Sequence, residues 1–276
     1  IEPTNRCNLM CTMCLRSVYK REMVDMSFED FEYIIDQFRY IKFVGLLGWG
    51  EPLLNPNLFR MIDYAHHKNI IVTFSTNGVW LDPDTSLKLL NSNLDKLMFS
   101  IDASESLPFD SIRKNSFLQE VVKNIKSLSN LKRDLQKHNP ILGISTTILK
   151  ENVNDLDKIV RLAKELEMEE VSFHMVYYPN EYPYKSISVE KAQLKKIVDN
   201  LFILSKSLNI KVEFPMLKFG HRLCTYSWFI PFVAANGDVY VCCYQIEPMG
   251  NILREDFKDI WNNQTYRIFR KRIKSE

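Results

Sequence analysis

Three cysteines fall within one short stretch, Cys7-Asn-Leu-Met-Cys11-Thr-Met-Cys14. Thiolates this close can converge on one inorganic centre, and thiolates hold both zinc and iron–sulfur clusters. A structural zinc takes four protein ligands. No fourth Cys or His lies nearby, the next histidine being His66. Three thiolates instead fit a [4Fe–4S] cluster with one iron left open, which is useful only if something small binds there. Zinc and plainly packed thiols remain the other readings of these residues.

The remaining cysteines, Cys224, Cys242 and Cys243, lie near the far end. A secreted disulfide scaffold would spread its cysteines evenly, and the opening residues are polar rather than a signal peptide. The pattern predicts thiolate ligands in a reducing compartment, hence a cytoplasmic protein. The chain opens on Ile1 rather than Met, which reads as a trimmed start.

Composition removes other classes of function. The 276 residues are 46% apolar and 25% charged, ordinary for a globular protein able to bury a core without staples. A formal net charge of +2 speaks against an electrostatic nucleic-acid binder. The longest uncharged stretch, Leu223–Gly237, is too short and too polar to span a bilayer. Neither a nucleic-acid nor a membrane partner is expected. With only 8 glycines and no G-x-G-x-x-G or G-x-x-x-x-G-K, a phosphate-cradling loop is not expected either.

Positioning such groups requires a scaffold, and the hydrophobic pattern supplies one. Runs at Phe43–Leu47, Ile70–Thr76, Lys96–Ile101, Ile141–Leu149 and Glu170–Met175 read as strands. Segments at Asn57–Lys68, Pro83–Leu90, Phe117–Gln136, Asp155–Met168 and Val189–Leu208 read as helices, the fourth with Leu156, Ile159, Val160, Ala163 and Leu166 on one face. The alternation implies right-handed crossovers and an α/β fold with a parallel sheet or partial barrel. The pattern changes near Val212–Phe214, so a boundary is placed between residues 1–213 and 214–276. Beyond it, Trp228–Ala235 and Asp238–Cys243 flank Asn236-Gly237, the signature of a hairpin with a type I′ turn. Phe257–Ile273 reads as one terminal helix.

Parallel α/β folds bind ligands at the carboxyl ends of their strands. Those positions hold Gly48-Trp49-Gly50-Glu51-Pro52, Thr76-Asn77-Gly78, Ser100 and Asp102, Ser145-Thr146-Thr147, and His174. The loop Tyr177–Tyr184, rich in Tyr and Pro, is expected to line the substrate side. Each piece alone is ordinary: Gly-Glu-Pro is often a turn, Asp102 a cap, His174 a core histidine. Together they converge on one rim. His66-His67 and the basic run Arg267, Arg270, Lys271, Arg272 and Lys274 read as solvated helix faces.

Four segments in order carry a resemblance: Glu2-Pro-Thr-Asn-Arg-Cys7-Asn-Leu-Met-Cys11-Thr-Met-Cys14, Gly48-Trp49-Gly50-Glu51-Pro52-Leu53, Ser75-Thr-Asn-Gly78 and Ser100-Ile-Asp102. The sequence resembles the radical S-adenosylmethionine (SAM) enzymes over essentially the whole chain. One departure is Gly-Trp-Gly-Glu-Pro where Gly-Gly-Glu-Pro is usual. The resemblance implies a partial (β/α)6 TIM-like barrel in which Cys7, Cys11 and Cys14 hold a [4Fe–4S] cluster whose open iron takes the amino and carboxylate groups of SAM. It also implies that Gly50 and Glu51 meet the methionine amino group, and that Ser100 and Asp102 meet the ribose hydroxyls. Arg113 would pair with the methionine carboxylate, the Met13 backbone would read the adenine edge, and Thr147 would lie near the nucleoside. An electron from a flavodoxin- or ferredoxin-type donor would cleave the sulfonium C–S bond. The resulting 5′-deoxyadenosyl radical would abstract a substrate hydrogen.

Cys224, twelve residues, Gly237, four residues and Cys242 resemble the start of a SPASM or twitch extension, a small β-hairpin plus helix holding an auxiliary iron–sulfur cluster. Asn236-Gly237-Asp238-Val, Gly250-Asn251-Ile and Ile260-Trp261-Asn262 add to the match. It implies Cys224 and Cys242 as ligands. Further cysteines belong after the terminal helix, so the stop at Glu276 reads as a truncation before a distal C-x2-C, with Cys243 as a third ligand the other option. The leading expectation is maturation of a ribosomally made peptide. Dehydrogenation of a small sugar or aminocyclitol stands second, and a non-catalytic iron–sulfur or zinc module is the reading outside enzymes. No catalytic acid or base is assigned.

Overall fold

The expected strands form one sheet. In the computed structural model, which describes residues 1–175, 191–214 and 226–275, they are β1 (Phe43–Leu46), β2 (Ile71–Thr76), β3 (Lys96–Ser100), β4 (Ile141–Ile148), β5 (Glu170–Met175) and β6 (Lys211–Glu213). They pair in sequence order and all in parallel. β1 and β6 stay as two edges, so the sheet is open, in agreement with the partial barrel expected. Helices α1 (Phe28–Asp36), α2 (Leu58–His67), α3 (Pro83–Asn91), α4 (Ser106–Ile112), α5 (Leu118–Asp134), α6 (Leu156–Glu165) and α7 (Lys191–Leu208) intervene. On α6 the expected apolar face is buried, from Leu156 to Leu166 just past its end.

Side chains alternate across a strand, so pairing register decides which residues share a face. Ser100 pairs with Ser145, Ser145 with Ser172, and Thr147 with His174. These polar residues form a row on one face, while Ile144, Thr146 and Ile148 of β4 are buried on the other.

The first helix has no counterpart in the hydrophobic reading. It starts at Ser27, whose hydroxyl accepts the Asp30 N–H at 3.0 Å and donates to the Asp30 carboxylate at 2.7 Å, a local cap that turns the chain into a helix.

The carboxyl-terminal part differs from expectation in two ways. The hairpin is shorter. A brief helix α8 (Tyr226–Phe229) precedes β7 (Phe232–Val233), which pairs antiparallel with β8 (Asp238–Tyr240), and β9 (Gly250–Asn251) adds a third strand. Its turn is not type I′, because only Gly237, at φ +85°, lies in the left-handed region, and Asn236 does not. The Gly237 N–H donates to the Ala234 carbonyl at 2.9 Å, and the Ala234 N–H to the Asp238 carbonyl at 2.8 Å. Asn236 instead uses its side chain, which accepts the Asp238 N–H at 3.2 Å. The single terminal helix is also divided, into α9 (Phe257–Asn262) and α10 (Gln264–Ser275). Asn263 breaks it with an extended backbone, accepting the Tyr266 N–H at 2.8 Å and donating to the Met249 carbonyl at 2.6 Å.

This extension shares the barrel's core. Val233, Val239, Ile252, Ile260 and Tyr266 belong to the same buried cluster as Phe31, Ile34 and Leu46. Gln37, capping α1, donates to the Ile252 carbonyl at 3.1 Å and accepts the Phe257 N–H at 2.8 Å. Because Asn263 both caps α10 and ties it to Met249 just before β9, Asn263→Ala is expected to lower stability by about 1–2 kcal/mol, read as a shifted midpoint in urea unfolding.

Candidate functional site

The cysteine loop is held in place by backbone contacts. Ahead of it, the Glu51 N–H donates to the Arg6 carbonyl at 2.8 Å, and the Leu47 N–H to the Ile1 carbonyl at 2.9 Å. A Cβ on Gly50 would sit 2.0 Å from the Thr4 carbonyl oxygen and 2.7 Å from that of Arg6, so only glycine lets the two segments approach. Past Cys7, the Met10 N–H donates to the Lys114 carbonyl at 3.1 Å and the Thr12 N–H to the Ile112 carbonyl at 2.9 Å, both at the carboxyl end of α4. Asn77, in the loop after β2, donates its side-chain amide to Asn8 at 2.7 Å. The Cys14 N–H closes a turn onto the Cys11 carbonyl at 3.2 Å, and Met13 lies in that turn. Arg16 reaches back to the Leu9 carbonyl.

Cys7, Cys11 and Cys14 are half-buried and form no disulfide among the described residues. Burial pushes all three above the ordinary thiol range, Cys14 to about 11, and the thiols act on one another electrostatically. A metal entering here displaces their protons. Among the described residues no three Cys, His, Asp or Glu side chains are arranged to hold a single metal ion. Three sulfur donors on one loop fit a [4Fe–4S] cluster with one corner open to a small ligand.

Beside the thiols lies a buried ion pair. Arg113 Nη2 stands 2.7 Å from Asp102 Oδ2, and Arg113 Nη1 is 4.0 Å from Cys11 Sγ. Asp102 Oδ1 accepts the Thr147 N–H at 2.7 Å, which ties the end of β3 to β4. Among the described residues Arg113 Nε is buried with no hydrogen-bond partner, a donor left for an anionic group. The guanidinium therefore faces a thiol and a carboxylate together. Ser100 is half-buried at the end of β3.

Glu51 is buried against the protein. Its carboxylate accepts the Asn77 N–H at 2.8 Å and the Leu53 N–H at 3.3 Å, so it links the loop after β1 to the loop after β2. Burial raises its pKa to about 7 in spite of those bonds.

The structure thus brings Cys7, Cys11, Cys14, Met13, Gly50, Glu51, Asp102, Arg113 and Thr147 to one end of the sheet. His174 is exposed at the end of β5. Cys224 and Tyr177–Tyr184 lie outside the described residues. Cys242 and Cys243 follow β8 and form no disulfide among the described residues. Two organising residues escaped the sequence reading. Glu2 is fully buried and accepts the Trp49 N–H at 2.7 Å and the Ala235 N–H at 3.2 Å. Asn152 donates to the Asp102 and Thr147 carbonyls, each at 2.8 Å, and accepts the Leu149 N–H at 2.8 Å. Glu2 stood inside the quoted cysteine motif, whereas Asn152 gives no signal, since its partners are fixed only when β3 and β4 pair. Arg113→Ala would leave Asp102 buried without its cation. It is expected to cost about 3–5 kcal/mol, measured by denaturant unfolding, with Arg113→Lys milder.

Comparison with known proteins adds a family. Residues 1–163 match the Radical SAM superfamily and residues 224–276 an iron–sulfur cluster-binding domain, SPASM. Over 98% of its length the chain is 24% identical to a tungsten-containing aldehyde ferredoxin oxidoreductase cofactor-modifying protein of Pyrococcus furiosus, covering 82% of it. Over 95% of its length it is 27% identical to the mycofactocin maturase MftC of Mycolicibacterium smegmatis, covering 69% of it. Among solved structures, Streptococcus suis SuiB aligns with a TM-score of 0.76 at 17% identity over 98% of this chain, which spans 66% of the SuiB chain. The anSMEcpe structure with bound AdoMet aligns with a TM-score of 0.70 at 18% identity, over 98% of this chain and 81% of that one. These two likenesses show the shared fold. The superfamily match covers more than half of the 276 residues and contains the whole cysteine loop, so the chain belongs to the radical SAM superfamily.

Proposed function

We propose that this enzyme matures a ribosomally made peptide by radical hydrogen abstraction, and that it divides near residue 213 into a SAM-cleaving barrel and an auxiliary-cluster domain. The observation that carries the reading is the convergence of the three-cysteine loop, the Arg113–Asp102 pair and the Gly50–Glu51 loop at one end of the open sheet. Support for a peptide comes from relatives. MftC is a maturase, and SuiB has been solved bound to its precursor peptide SuiA, with a TM-score of 0.75 to this chain.

Cys7, Cys11 and Cys14 would hold the [4Fe–4S] cluster, which supplies the electron that cleaves SAM to methionine and a 5′-deoxyadenosyl radical. The protein's part is placement. Arg113, with one face on Cys11 and a free Nε–H, is suited to receive the methionine carboxylate. The Glu51 carboxylate is engaged by backbone N–H groups, so it shapes the loop, and neighbouring carbonyls would accept from the methionine amine. Asp102 and Thr147, locked to each other, fix the wall on which Ser100 would meet the ribose. The row Ser145, Thr147, Ser172 and His174 gives the open face hydrogen-bonding groups for a polar substrate. Cys224 and Cys242 are assigned to the auxiliary cluster, and a flavodoxin- or ferredoxin-type protein is the proposed electron source.

The test is anaerobic. Reconstituted enzyme with dithionite and SAM is expected to release 5′-deoxyadenosine, while Cys11→Ala loses one cluster's iron and the product together. Equal product from Cys11→Ala removes this assignment. Mass shifts in a peptide encoded beside the gene would support the peptide substrate. Turnover confined to a small alcohol would replace it.

A further inference from the structure

The residue that departs from the usual Gly-Gly-Glu-Pro pattern, Trp49, is wired to the other end of the chain. Its ring N–H donates to the Cys243 carbonyl at 2.9 Å, and its backbone N–H donates to Glu2. Above the ring lies the Arg21 guanidinium, 3.5 Å from the ring centroid, with the Tyr240 ring 4.7 Å away. Tyr240 ends β8, two residues before Cys242. The guanidinium therefore lies against two aromatic rings, one bonded to the Cys243 carbonyl and the other two residues before Cys242, a placement suited to its planar, weakly hydrated cation.

The cation has donors to spare. Among the described residues Nη1 and Nη2 of Arg21 are buried without a hydrogen-bond partner, and the Arg21 side chain is only 16% exposed. The facing carboxylate oxygen, Glu2 Oε2, is 3.5 Å from Nη1, beyond a good hydrogen bond, and that carboxylate already accepts two backbone N–H groups. Buried guanidinium N–H groups left unmade are costly unless an acceptor arrives. An iron–sulfur cluster brings such acceptors in its anionic sulfurs.

We infer that Arg21 is a positioning residue of the auxiliary cluster, held by Trp49 and Tyr240 so that its charge lies beside the Cys242–Cys243 segment that would help to bind the cluster. This rests on the auxiliary-cluster reading above. A nearby cation stabilises the reduced, more negative state of a cluster, so Arg21 raises its reduction potential.

The experiment isolates that cluster. In the full-length protein with Cys7, Cys11 and Cys14 all changed to Ala, anaerobic reconstitution should still load iron and sulfide, and an EPR-monitored redox titration reads the remaining cluster. Arg21→Gln, which keeps much of the length but not the charge, is expected to make reduction about tenfold less favourable, about 59 mV for one electron. Arg21→Lys, which keeps the charge, should restore most of the potential. Equal potentials for parent and Arg21→Gln, or equal shifts for Gln and Lys, overturn the inference while leaving the auxiliary cluster intact. No iron in the parent overturns both.

Discussion

Backbone packed on backbone fixes where the three thiols stand. The stretch Thr4–Arg6 lies so close to Gly50–Glu51 that no side chain fits between them, and the Arg6 carbonyl is taken by the Glu51 N–H. A loop carrying three cysteines has no reason to keep one shape in water. Here it is pinned ahead of Cys7 by the loop after β1 and past Cys7 by the carbonyls of Ile112 and Lys114. Loss of that clamp would scatter the sulfurs whatever their spacing in sequence.

The second constraint is electrostatic. Asp102, Glu51, Glu2 and Arg113 are all buried, and burial of charge is tolerated only with partners. Each acid is satisfied by backbone N–H groups from a neighbouring loop: Thr147 for Asp102, Asn77 and Leu53 for Glu51, Trp49 and Ala235 for Glu2. The acids thus hold successive loops to one another, and the guanidinium of Arg113 is left beside Cys11 with a donor still free. Among the described residues no helix is long and apolar enough to cross a membrane.

The carboxyl-terminal extension is joined to the barrel rather than appended to it. Its hairpin contributes to the common core, Glu2 and Gln37 bind its backbone, and Trp49 holds the cysteine carbonyl. The amino-terminal residues and the hairpin thereby meet next to the loop after β1.

The amino-acid sequence alone determined the alternation of strands and helices, the apolar face of α6 and the identity of the cysteine cluster, because periodicity and residue type are local properties. It missed α1, whose start depends on a short polar cap, and it misjudged the turn at Asn236 and the continuity of the last helix, where side chains of Asn236 and Asn263 bond to backbone and override the apolar pattern. Only the tertiary structure decided that Glu51 faces inward to Asn77, that Asp102 pairs with Arg113, and that Glu2 and Arg21 gather around Trp49. Those contacts join residues far apart in the chain. Their energies come from buried charges meeting cations and backbone N–H groups, a match made only once the parallel sheet has brought the loops to the same end.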